Sequence, residues 1–332
     1  MTATLPTGNG PRATGSEPPD AQLPGTEPRS RGLRGAIARH PLTAFFLMAF
    51  GLSWLAWTPY VLSGSGLGIL DFDFPILLGT TQLTGVLPGA YLGPIVSALV
   101  ITRIAYGRAG VSAWFGRFKR WRVRWVWYLG VITGVPLALT LAGLLLSGGH
   151  LQPPAVTLLV VYLPMLLLQV ITTGLAEEPG WRDFALPLLQ PRYGALGGSL
   201  VLGPLWGCWH LPLFLTSWGN WPDVDLLDVI TFILTAMSIC VAMTWVFNRT
   251  GQSLPLQMIL HASINTYATI VWGSIFPGMD HAMVSRGILL TFASAAVILV
   301  VVTRGRLGSD GPAFVRRRVR TTSSTGQLPP AA

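Results

Sequence analysis

Eight times along this chain, apolar residues run on for close to the roughly 20 positions that an α-helix needs to cross a bilayer. The stretches fall at about 42–62, 86–105, 125–147, 155–176, 198–218, 227–247, 253–274 and 287–303 of the 332 residues. Backbone polar groups in lipid must be satisfied within the chain, and apolar runs of this length do so as helices. The expected fold is all-α: a polytopic transmembrane helical bundle of about eight spans. Composition agrees, with 51% apolar and 11% charged residues, which argues against the two soluble domains that this length would otherwise suggest.

Orientation follows from the cations, since Lys and Arg close to span ends are retained in the cytoplasm. Of 22 basic residues, 21 lie before span 1, between spans 2 and 3, after span 4, after span 6 or after span 8, and Arg286 alone falls in the alternate loops. Both termini are therefore expected on the cytoplasmic side of a cell membrane, and the loop around Asp71 outside. The net charge of +9 then reflects topology and attraction to anionic lipid headgroups, so nucleic acid is not expected as a partner.

Residues 1–35, with six prolines, cannot bury a core and are expected to be a disordered cytoplasmic tail. They lack the apolar region of a signal peptide. Residues 36–305 form the helical domain, and 306–332 a basic disordered cytoplasmic tail. The segment 103–124 carries Trp114, Phe115, Phe118 and Trp121 among its cations and reads as a lipid-anchoring loop with an interfacial helix. Cys208 and Cys240 fall within spans, where they are expected to pack rather than pair.

Charge within or beside a span is costly, so each instance is a functional candidate. Directly after span 4 stands AEEPGWRD, residues 176–183. If the helix persists through Gly180, Glu178 and Arg182 lie one turn apart and can pair; alternatively Pro179 opens a new helix at its first position. Either way Glu177 is left free, and the whole group could instead sit at the headgroup boundary. In span 5, Trp206 and His210 are four residues apart, as are His261 and Asn265 in span 7, so each pair shares a helix face. Together these groups offer a general base, its partner and hydrogen-bond donors. With both spans running outward and Glu177 ending span 4 at the cytoplasmic face, the topology allows a shared cavity that opens to the cytoplasm.

The set Glu177-Glu178-x-x-x-Arg182, Trp206-x-x-x-His210 and His261-x-x-x-Asn265 resembles the motifs of the CPBP intramembrane proteases. That family comprises type II CAAX prenyl endopeptidases and bacteriocin-processing or Abi proteins. The motifs occur in family order over roughly residues 155–275, the expected protease core. One departure is Trp206, where the family commonly has Phe; an aromatic wall is kept, and only the cavity's shape is expected to change.

The resemblance implies a glutamic-type intramembrane endopeptidase, expected to be bacterial, acting on a membrane-embedded or lipidated peptide or protein. Glu177 and His210 would hold and activate water, His261 and Asn265 would stabilise the oxyanion, and Glu178 and Arg182 would support the site. No cofactor is then required. Two histidines and a glutamate are also the ligand set of a catalytic zinc, so a zinc protease with Glu177, His210 and His261 as ligands is an alternative, although HExxH is absent. A proton-coupled transporter using the same groups as a relay is another, with no inverted repeat to support it.

Overall fold

The computed structural model describes residues 32–309. The tails expected at 1–35 and 306–332 lie largely outside those residues; a first helix, Leu33–Arg39 (α1), begins within the last residues of the expected N-terminal tail. The chain continues as α2, Pro41–Leu62, and α3, Leu87–Phe118, which bends at Gly107, where φ is 66°. Next come α4, Trp125–Leu146, then a helical run of 156–193 (α5) that turns at Gly194, φ 73°, into 195–209 (α6). Helices α7, Leu226–Arg249, α8, 254–275, and α9, His281–Thr303, complete the bundle. No β-strand occurs among the described residues.

Six helices are long and apolar enough to cross a membrane, counting Val156–Leu215 as one. That run would supply two crossings if divided at Gly194; α8, whose second half contains a π turn at Tyr267–Val271, is not among the six. The chain is a multi-pass, all-α membrane protein. The largest difference from expectation concerns span 4, which does not stop at 176. Helix α5 extends roughly 55 Å at 1.5 Å per residue, absorbing Pro164 and Pro179 with wide turns at Val170–Gly174 and Trp181–Ala185. Such π turns re-satisfy backbone groups that proline frees.

Helix starts follow local chemistry. Pro41 occupies the first turn of α2, Asp225 and Asp228 form a capping box on α7, and Ser253 caps α8. Small residues bring helices together where side chains would hold them apart. Gly203 and Gly207 of α6 lie against Met237 and Ile233 of α7, and Gly180 of α5 lies against Pro94 of α3.

The two ends of the bundle are tied differently. At one end, Asn248 Nδ2 donates to Gln190 Oε1 and to the Leu307 carbonyl, both at 2.9 Å, joining the ends of α5, α7 and α9. There too, Arg120 donates to the Gly251 carbonyl at 2.8 Å while Ser253 Oγ donates to the Arg120 carbonyl at 2.6 Å. At the other end, Ser217 N–H donates to the Ser65 carbonyl at 2.8 Å and Gln152 N–H to the Ile275 carbonyl at 2.9 Å. The cations flanking the helices gather at the first end, with Arg286 the exception among the described residues.

Candidate active site

Because α5 runs on beyond residue 176, Glu177 lies inside the bundle, roughly 25 Å along the helix from the Gly194 turn. It is buried, as are Glu178, Arg182, His210 and His261. The headgroup-boundary alternative is thereby excluded for this group, and so is a helix that starts at Pro179.

Glu178 and Arg182, one turn apart on α5, approach to 3.4 Å (Oε2 to Nε). The other oxygen of Glu178, Oε1, accepts from His261 Nδ1 of α8 at 2.8 Å. Arg182 stands 4.6 Å over the Trp206 ring, in cation–π range, and its Nη2 meets Met243 Sδ at 3.0 Å. One carboxylate thus links three elements: α5, α8 and, through the arginine, α6.

Trp206 is more than a wall. Its Nε1–H donates to Glu177 Oε2 at 2.7 Å, and its backbone carbonyl accepts from His210 Nδ1 at 2.9 Å. A carbonyl can only accept, so Nδ1 of His210 carries the proton and Nε2 keeps its lone pair. The expectation that Trp in place of Phe changes only the cavity's shape is corrected: the indole supplies a donor that phenylalanine lacks. A box of rings fixes His210, which stacks on Trp218 at 5.4 Å and meets Phe232 edge-on at 5.0 Å. His261 meets Trp206 edge-on at 5.2 Å. Asn265, one turn further along α8, has no hydrogen-bond partner for its carboxamide among the described residues and lines the cavity.

That cavity measures about 460 Å³ and is bounded by Glu177, Trp206, His210, His261 and Asn265. All four residues expected to be catalytic therefore reach one space, while Glu178 and Arg182 lie behind it. Its other walls come from Gln82, Leu83, Phe214, Asp228, Val284 and neighbouring positions, which belong to the end held by the Ser65–Ser217 and Gln152–Ile275 hydrogen bonds. The cavity opens there, away from the basic end. The lining thus lies toward the end opposite the cation-rich one, whereas the expected cavity opened on the side of the cations.

On the basic side the site is closed by a second layer that the sequence reading missed. Trp114 is buried, its Nε1 donating to the Pro179 carbonyl at 3.1 Å, and Arg117 pairs with buried Asp183 at 2.6 Å. The segment 103–124 is thus not simply a lipid anchor; beyond Gly107 it packs under the site, though Phe115 and Trp121 remain exposed. Asp183 stands beside Arg182 in the sequence and could have been singled out. Arg117 could not, since nothing distinguishes it from the topogenic cations around it. Cys208 and Cys240 are both free.

The residues do not fit a zinc site. Among the described residues no three of His, Cys, Asp or Glu come together closely enough to hold a metal.

Residues 158–267 match the family described as type II CAAX prenyl endopeptidase, Rce1-like. The chain is also similar to a CAAX prenyl protease 2 of Methanococcus maripaludis, 23% identical over 173 residues, which is 51% of this chain and 60% of the relative. The match thus spans less than two thirds of that protein's length. The matched stretch, residues 158–267, which supplies Glu177, Trp206, His210, His261 and Asn265 to the cavity, is thus similar to the Rce1-like type II CAAX prenyl endopeptidases.

Proposed function

We propose that this chain is an intramembrane endopeptidase that cleaves a peptide bond of a membrane-associated substrate with water activated by Glu177. The observation that carries this reading is the double role of Trp206, whose indole holds the Glu177 carboxylate and whose carbonyl sets the tautomer of His210. Both groups are thereby fixed on one cavity. His210 Nε2 accepts one hydrogen bond from the water, and Glu177 takes the water's proton as its oxygen attacks the scissile carbonyl carbon. The C–N bond then breaks, the proton passes to the leaving nitrogen, and a carboxylate and an amine depart.

His261 and Asn265, one turn apart on α8 and both lining the cavity, are assigned as the donors that receive the developing oxyanion. No step requires a metal, and none is drawn through one.

Relatives carrying the CAAX protease name suggest a peptide whose end is held at the membrane, embedded or lipidated. The test uses the full chain in proteoliposomes with such peptides, comparing wild type with Glu177→Ala. Cleavage by wild type alone is expected; equal cleavage by both would remove Glu177 from the chemistry. Proton-coupled uptake without any cleavage would instead favour a transporter.

A further inference from the structure

We infer that the cavity is served from the extracytoplasmic side, so that its substrate is a peptide segment presented on the outer surface of the membrane. What is cut there rests on the protease reading above; which way the cavity opens does not.

Three observations carry the inference. First, the lining residues come from one end of the bundle. Gln82 lies between α2 and α3, Trp218 between α6 and α7, Asp228 in the first turn of α7 and Ser285 in the first turns of α9. On α5 the lining begins at Gln169 and ends at Glu177, and on α8 it begins at His261 and continues to Thr269. Each helix therefore contributes the part that leads away from the basic end.

Second, the opposite end is shut. Beneath Glu177 lie the Glu178–Arg182 pair and, beyond it, the Trp114–Pro179 hydrogen bond and the Arg117–Asp183 ion pair. The loops 119–124, 190–195 and 249–253 contribute nothing to the lining.

Third, the shut end is the cation-rich one. Of the chain's 22 basic residues only Arg286 belongs to a loop or helix start at the mouth, and an asymmetry of this size fixes the basic end in the cytoplasm. A peptide arriving from the cytoplasm would meet the floor of the site rather than its mouth. One arriving from outside meets an entrance with apolar walls, Leu83, Val86, Phe214 and Ile288, leading to the carboxylate. The substrate implied is a segment already carried across the membrane and still held at it by an apolar anchor.

The test is labelling of single cysteines, added to the full chain in intact cells, with a membrane-impermeant maleimide. The chain without an added cysteine serves as the blank for Cys208 and Cys240. Exposed Gln82, at the mouth, and exposed Arg122, at the shut end, are each replaced by Cys. Gln82→Cys is expected to label in intact cells and Arg122→Cys only after permeabilisation. Labelling of Arg122→Cys in intact cells, or failure of Gln82→Cys to label until the cells are opened, overturns the inference. Both variants are repeated with Glu177→Ala, which leaves the labelling unchanged if access is a property of the fold. Correct labelling with no cleavage by wild type would discard the protease reading and keep the access side; cleavage with reversed labelling would do the opposite.

Discussion

Glu178 of α5 and His261 of α8, 83 residues apart in sequence, share a buried hydrogen bond of 2.8 Å that joins two crossings of the bundle at the wall of the cavity. Glu178 is also the carboxylate that pairs with Arg182 among the described residues. Removing one member of a buried ion pair leaves the other uncompensated, which costs about 3–5 kcal/mol. Glu178→Ala should therefore destabilise the protein by that order, seen as a lower unfolding temperature in detergent. Glu177→Ala leaves the pair intact and should abolish turnover with far less effect on unfolding. Equal losses of stability in the two variants would contradict this division of labour.

His261 and Asn265 should matter more in the transition state than in the ground state. Each alanine substitution is expected to lower turnover by about a hundred- to a thousandfold, the usual cost of one lost oxyanion donor, with little change in substrate affinity. For Asn265 the competing idea is a helix-to-helix tether, and such bonds average only about 0.6 kcal/mol in membranes. The carboxamide has no partner among the described residues, so Asn265→Ala should unfold like wild type. Single-turnover kinetics on a monodisperse Asn265→Ala sample that retained more than about a third of wild-type turnover would rule out the donor role.

Chelation should leave activity largely intact. No three His, Cys, Asp or Glu side chains converge closely enough to hold a metal among the described residues. Elemental analysis of purified protein showing about one zinc per chain, lost in step with activity, would require a metal mechanism instead.

Much of this arrangement could be read from the chain before any coordinates. The spans announced themselves by length and apolarity, and the spacings Trp206 to His210 and His261 to Asn265 put each pair on one helix face. What the sequence concealed has definite causes. The stretch after Glu177 carries charge, proline and glycine, which together resemble a helix end, yet burial of those charges in mutual pairs lets α5 continue. The pairing of Arg117 with Asp183 joins positions 66 apart, and a cation in a basic loop carries no local mark of its partner. The direction of the mouth depends on which halves of α5 and α8 stand apart, and periodicity does not encode that. The indole of Trp206 was visible as an aromatic residue, but not as a hydrogen-bond donor to a particular carboxylate.

That last point yields a quantitative expectation. In Trp206→Phe the backbone carbonyl that orients His210 is untouched, and an aromatic face remains for the Arg182 guanidinium. The Nε1–H bond to Glu177 alone is deleted. Hydrogen bonds to charged groups contribute about 1.5–3 kcal/mol, so if the bond holds Glu177 where water is attacked, turnover should fall by roughly ten- to a hundredfold. The fall should appear in turnover rather than in substrate affinity, because the deleted bond acts on the carboxylate that activates water, while the ring that lines the cavity stays aromatic. Trp206→Ala, which also removes the ring under Arg182, should in addition lower the unfolding temperature. Kinetics of the two variants side by side decide the matter: Trp206→Phe with turnover within twofold of wild type would mean that the tryptophan serves only as a wall, and that Glu177 is positioned by something else.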